Sequence, residues 1–161
     1  MRRRMRFVEV VGIALVVVTG GVLAAASVGA DEEPIRVVMR TGETRTTFLD
    51  FNGNGRLNQG DRVVFRGPLR DPDTGDRAGR TLGECMAMSL VRVDDQRGVW
   101  ACSYVLGLAD GDLILRGWDP AGVGPYVLAV TGGTGSFRNA RGQADVRDHN
   151  NRTAFTILLE P

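Results

Sequence analysis

The stretch Tyr126-Val-Leu-Ala-Val-Thr131-Gly-Gly-Thr-Gly135-Ser-Phe-Arg-Asn-Ala140-Arg-Gly-Gln-Ala-Asp-Val146 decides the fold. It opens on apolar β-formers, Tyr126 to Val130, and breaks at Gly132, Gly133 and Gly135. It resumes with Arg141, Gln143 and Asp145 alternating against Gly142, Ala144 and Val146. Period-two alternation on both sides of a glycine cluster reads as strand, tight corner, strand, because glycine reaches backbone angles that strain other residues. A glycine-rich phosphate cradle would need a following helix and a lysine to reach the phosphates. The residues after the corner read as strand, and the chain contains no lysine.

The same pattern extends in both directions. From Ile35 onward, short apolar runs recur between Gly, Asp, Asn and Pro clusters, and no stretch keeps a helical period for three turns. Strands are expected over residues 45–49, 62–66, 80–93, 98–108, 112–118, 126–131, 141–148 and 152–160. Eight strands joined by hairpin-length links predict a single antiparallel up-and-down β-barrel, which leaves no exposed sheet edge. A two-sheet sandwich has similar strand spacing and is the alternative.

Three motifs carry a resemblance. The segment Gly132–Gly142 resembles the Gly-Gly-Thr-Gly-x-Phe-x-x-Ala-Arg-Gly signature of plant dirigent proteins and bacterial allene oxide cyclase-like barrels. Gly60-Asp61-Arg-Val-Val-Phe65 and Asp110-Gly-Asp-Leu-Ile-Leu-Arg-Gly117 agree with it. The resemblance covers the chain from about Asp50 to the C-terminus. It implies a barrel that binds a small apolar molecule and steers its cyclisation or coupling without a cofactor. It also implies a trimer, from the plant relatives. Arg141 matches the arginine of the signature and Asp61 the acid of the Gly-Asp motif. A rival from another class is a non-catalytic extracytoplasmic binding or structural barrel.

The N-terminus reads differently. Arg2, Arg3, Arg4 and Arg6 precede an apolar run from Val8 to Ala26, then Val28-Gly-Ala30 ahead of Asp31. A basic region, an apolar region and a small-residue cleavage site describe an export signal, against the alternative of a retained membrane anchor. The expected organisation is therefore a signal peptide over 1–30, an N-terminal extension over 31–44 and the barrel over 45–161, secreted and off the membrane after cleavage. Removing 1–30 deletes four Arg and one Glu, leaving 16 Arg against 18 carboxylates, or −2. No basic stripe remains, so nucleic acid is not an expected partner. All 20 basic residues are Arg, a bias that suggests a GC-rich bacterial genome.

Two local motifs invite chemistry. Asp50, Asn52, Asn54, Asn58 and Asp61 occupy positions 1, 3, 5, 9 and 12 of a calcium-loop pattern with Gly55 at position 6. The acid at position 12 is the short Asp and the flanks read as strands, so the expectation is a turn-rich connection without a metal. Cys85 and Cys102 are disulfide candidates in an exported chain. If Asp94–Gly98 forms the hairpin turn, however, Leu90 opposes Cys102 and the cysteines are about 16 Å apart along the ladder.

Conventional catalytic sets are missing from the sequence. His149 is the single histidine, and no Gly-x-Ser-x-Gly elbow occurs. With that hairpin register, one face carries Glu84, Met86, Met88 and Leu90 against Trp100, Cys102, Tyr104 and Leu106, the opposite face carries Cys85, Ala87, Ser89 and Val91 against Ala101, Ser103 and Val105, and either face can point into the barrel. If the first face lines the interior, Met86, Met88, Trp100 and Tyr104 are ligand-binding candidates and Glu84 a catalytic one; the resemblance adds Arg141 to both sets and Asp61 to the catalytic candidates. A cavity is expected because Gly83, Gly107, Gly117 and Gly142 leave volume unfilled.

Overall fold

A computed structural model of the chain describes residues 33–89, 98–120 and 124–161. The signal segment and Leu90 lie outside the described residues. Nine strands follow in order: β1 (Ile35–Arg40), β2 (Arg45–Leu49), β3 (Arg62–Arg70), β4 (Arg77–Ala87), β5 (Trp100–Leu108), β6 (Gly111–Asp119), β7 (Tyr126–Gly133), β8 (Gly142–His149) and β9 (Arg152–Leu159). The only helical elements described are two short 3₁₀ turns, Thr41–Glu43 and Gly135–Phe137.

Every neighbouring pair is antiparallel, and the order β1-β9-β8-β7-β6-β5-β4-β3-β2 closes on itself where β1 also pairs with β3. β1 and β2 lie end to end along β3: β1 reaches Leu69 and Arg70, whereas β2 covers Arg62 to Arg66. They act as one strand bent at the Thr41–Glu43 turn, so nine elements make an eight-stranded barrel. Gly67 permits the bend, since a Cβ there would sit 3.1 Å from the Thr44 Cα.

The barrel thus begins at Ile35. The reading of residues 31–44 as an extension needs correction, because Ile35–Arg40 pairs with β9 along its whole length. Its adjacent buried residues, Val37 and Val38, break the alternation that marks β4 to β9.

Alternation builds the core. Cys102, Tyr104 and Leu106 of β5, Leu113 and Leu115 of β6, and Tyr126, Leu128 and Val130 of β7 point inward, as do Ala144 and Val146 of β8 and Phe155 and Ile157 of β9. Burying a side chain of this size contributes roughly 1.5–3 kcal/mol relative to exposure. The glycines do not leave the expected voids. The Phe65 ring fills the space over Gly83, Leu128 lies against Gly117, and Gly107 and Gly142 face the Arg80 side chain and the Leu158 backbone.

The signature glycines have another use. The corner between β7 and β8 packs on the β5–β6 turn, where Thr134 N donates to Asp112 O at 2.8 Å and Ser136 N to Asp110 O at 2.9 Å. A Cβ on Gly135, which has φ +59°, would also lie 3.1 Å from the Gly111 Cα. Two of the motifs that carry the resemblance therefore close one end of the barrel together.

Candidate functional site

The hairpin β4–β5 sets the site, and its register is shifted by five residues from the sequence expectation. Cys102 lies opposite Cys85 instead of Leu90. The two sulfurs are bonded, with their Cα atoms 4.1 Å apart. The physical reason is that β4 stops at Ala87 and β5 starts at Trp100, so the connection is longer than the Asp94–Gly98 turn and centred earlier.

An odd shift reverses the faces of one strand. Cys85 and Ala87 turn into the barrel, Met86 and Glu84 turn out, and Met88, beyond the end of β4, is also exposed. Glu84 pairs with Arg62 on the outer surface at 3.3 Å. Trp100 and Tyr104 face inward. Met86, Met88 and Glu84 thus lie apart from the interior and from Trp100 and Tyr104, with which the expected register had grouped them.

Arg141 is also remote from it. Its Nη1 donates to the carbonyls of Ala140 (2.8 Å) and Thr131 (3.2 Å), bracing the glycine corner. Asp61 is 2% exposed and its two carboxylate oxygens accept from the amides of Phe51 (3.0 Å) and Asn58 (2.7 Å). Those amide bonds, Phe51's foremost, hold its carboxyl below the usual range. Asp50 accepts from the amides of Asn52, Gly53 and Gly55, and the Asn52 and Asn54 side chains close further turns. The loop is cross-braced by its own oxygens. Among the described residues, no cluster of three or more His, Cys, Asp or Glu is placed to hold a metal.

The interior opens at one end of the barrel, away from the glycine corner. A cavity of about 250 Å³ is walled by Phe65, Trp100, Tyr104 and Tyr126, by the Cys85 end of the disulfide, and by Met39 and the Thr41–Thr46 bend. Asp119, Asp148 and Thr153 complete its rim. A larger concavity, about 740 Å³, lies on the outer face of β2–β5 between Arg45, Val64, Leu82 and Val105. It is an open groove on the solvent side of the sheet. The mouth combines concavity, apolar walls and converging polar groups, the usual marks of a ligand site.

The polar groups at the mouth are arranged around two tyrosines. Their hydroxyls are 3.4 Å apart, and Tyr104 Oη is 4.0 Å from Cys85 Sγ. The Tyr104 ring is held by Phe65 (centroids 5.0 Å) and Phe155 (5.4 Å, edge-on). Burial, with a further contribution from Asp119 and Asp148, pushes the Tyr104 phenol up to about 12. Burial first, then the neighbouring Tyr104 and then Asp119 and Asp148 raise Tyr126 further. Both phenols are thus neutral donors at ordinary pH. Asp148 is fixed by the Thr153 hydroxyl, which donates to it at 2.6 Å.

Sequence reasoning missed Tyr126, Asp119 and Asp148. Continuing the alternation to the strand ends reaches all three. Tyr126 shares the parity of Leu128 and Val130, Asp119 that of Leu113 and Leu115, and Asp148 that of Ala144 and Val146.

Closure and strand order define a small antiparallel β-barrel with a concavity at one end. Solved structures agree. The chain is similar to pyocyanin demethylase, with 23% identity, a TM-score of 0.65, and coverage of 79% of this chain and 99% of that one. The pterocarpan synthase dirigent protein PsPTS1 matches at 17% identity and a TM-score of 0.63, covering 78% of this chain and 92% of that one. The intermolecular Diels-Alderase AbnU matches at 18% and 0.53, covering 79% and 97%. The fold is therefore the barrel shared by dirigent and allene oxide cyclase-like proteins, as the sequence motifs imply. No protein-family model and no curated protein sequence matches the chain.

Proposed function

We propose that the chain binds a small, largely apolar molecule in the mouth cavity and steers its cyclisation or coupling without a cofactor. The observation that carries this reading is the aromatic mouth with two neutral phenols converging on its floor. The aromatic walls would hold a flat reactant in one orientation and exclude water from it. A phenol hydroxyl would donate to a carbonyl or ether oxygen as charge develops there. Structural neighbours named as a dirigent protein and a Diels-Alderase support the steering role. The volume of about 250 Å³ restricts the reactant to one or two fused rings.

A non-catalytic binding barrel is favoured by a different observation. Beneath the mouth, Leu106, Leu113, Leu115 and Leu128 are fully buried and fill the interior, so the reactant would have little room to fold on itself. We also propose export, supported by the disulfide, which persists in oxidising compartments. Assembly with further copies of the chain is part of the same proposal and would be read by sedimentation.

A thermal-shift screen of small aromatic compounds tests binding. A ligand at 100 times its Kd adds about 2.7 kcal/mol to unfolding, a shift of several degrees. Trp100→Ala should abolish the shift. A screen with no hit, or hits unaffected by Trp100→Ala, would overturn the mouth as the site. Product formed faster, or with one handedness, only in the presence of the protein would decide for catalysis over binding.

A further inference from the structure

We propose that the outer groove of β2–β5 binds a small amphipathic anion, an apolar chain ending in a carboxylate, sulfate or phosphate. The site is separate from the mouth and does not depend on it. Its anchor is a pair of arginines. Arg45 lies directly opposite Arg66 in the β2–β3 ladder, and both line the concavity of about 740 Å³. Thr46 and Phe65, one residue away along each strand, line the mouth on the other side of the sheet, so the two arginines point outward. Like charges directly opposed across two strands destabilise a sheet. Neither guanidinium has an ion pair or hydrogen bond with any described residue. Glu84, the carboxylate among the described lining residues, is engaged by Arg62 at 3.3 Å, and Glu43 by Arg70 at 2.7 Å. Two adjacent guanidinium forks match the oxygens of a carboxylate, sulfate or phosphate.

The rest of the groove supplies a seat for the chain. The register row that joins Arg45 to Arg66 continues to Leu82 of β4 and Val105 of β5, with Val64 in the same lining. Leu82 is exposed on this outer face. Two strand spacings, about 10 Å, separate Arg66 from Val105. A head group on the arginines therefore carries a chain of that length across both apolar side chains. Covering them removes apolar surface from water. An inorganic anion would leave the apolar strip in water, and a neutral chain would leave the arginines opposed and unneutralised.

Four probes separate these cases: octanoate, octyl glucoside, octyltrimethylammonium and acetate, each titrated calorimetrically into the protein. Octanoate should bind about tenfold tighter than octyl glucoside or acetate, and the cation should not bind measurably. The double variant Arg45→Gln/Arg66→Gln should bring octanoate down to the affinity of octyl glucoside, and Leu82→Ser should bring it towards that of acetate. Circular dichroism on both variants checks that the barrel is intact. Trp100→Ala, which alters the mouth, should leave octanoate binding unchanged. Loss of octanoate binding in Trp100→Ala would move the anion to the mouth and overturn the groove as its site. Octyl glucoside bound as tightly as octanoate, octanoate binding that survives the double arginine variant, or no binding of any probe would overturn the proposal. Flotation with phosphatidylglycerol vesicles distinguishes a free anion from one held in a membrane. Flotation that needs both arginines, without octanoate binding, would overturn the small molecule in favour of a lipid surface.

Discussion

Gly83 is the position where one methyl group separates two accounts of the site. It faces the barrel interior opposite Tyr104 and Phe65, and a Cβ added there would fall within the Phe65 ring and 2.9 Å from the Ser103 carbonyl oxygen. Two terms oppose each other in Gly83→Ala. The lost backbone freedom of the unfolded chain favours alanine in a strand by roughly 0.5–1 kcal/mol. Overpacking costs about 1–3 kcal/mol. Here the cost should win, because the Ser103 carbonyl is fixed in the β4–β5 ladder and the ring is backed by Tyr104 at 5.0 Å. The expected net loss is about 1–2 kcal/mol in urea unfolding, with the slope unchanged. Combining it with Phe65→Leu isolates the cause, since a smaller side chain makes room for the methyl and the two effects should couple by about 1 kcal/mol. A displaced ring also enters the mouth, so ligand binding should weaken in the single variant and recover in the double one. Gly83→Ala that is neutral or stabilising, or that costs the same in both backgrounds, would refute the argument.

Other perturbations read other parts of the barrel. Replacing Cys85 and Cys102 together by Ala, which opens a cross-link with a sequence separation of 17, should cost roughly 3 kcal/mol. Urea midpoints with and without reductant check it, and the double variant should no longer respond to reductant. Tyr104 has its folded value raised from 10.0 to about 12, so its contribution is complete below pH 10 and is lost as the pH climbs towards 12. At about 1.4 kcal/mol per unit the loss from Tyr104 is about 2–3 kcal/mol, and Tyr104→Phe should lower the alkaline slope in equilibrium unfolding to that left by Tyr126, whose folded value is raised further. Asp61 is the converse case. Its lowered folded value contributes stability that is present above 3.8 and lost as the pH falls through the folded value. Asp61→Asn should unfold at lower urea near neutrality and show a shallower acid slope than the parent; an unchanged slope would contradict the assigned hydrogen bonds.

Period-two alternation made most of the barrel legible, because six of the strands, β4 to β9, bury alternate residues. β1 escaped because Val37 and Val38 are both buried, so its sequence carries no alternation. The disulfide escaped for a longer-range reason. Register is fixed by where a hairpin turns, and the residues between Ala87 and Trp100 contain turn formers at more than one place. An error of an odd number of residues there grouped Met86 and Glu84 on one face with Trp100 and Tyr104, from which the structure separates them. Asp61 and Arg141 show a different limit. Their place in a recognisable motif is real, but the motif serves the loop and the corner, and neither side chain lines the mouth.

The split first strand also gives the barrel a place to open. β1 matches β9 residue for residue from Ile35 to Arg40 but meets β3 only at Val38–Arg70 and Met39–Leu69. The carboxylate of Glu43 latches this seam, accepting from Arg70 Nε at 2.7 Å with Arg40 Nη1 at 3.8 Å. The hydrogen bond from Arg70 holds the Glu43 carboxyl below its usual range, so acid should release the latch. Met39 and the Thr41–Thr46 bend are at once the flank of the seam and one wall of the mouth. Breathing of this corner would therefore widen the entrance while β4 to β9 stay paired, giving a molecule a way in that needs no separate lid. Hydrogen exchange would register it as Val38, Met39, Leu69 and Arg70 amides losing protection together, ahead of those in β5 to β8, and earlier still in Glu43→Gln.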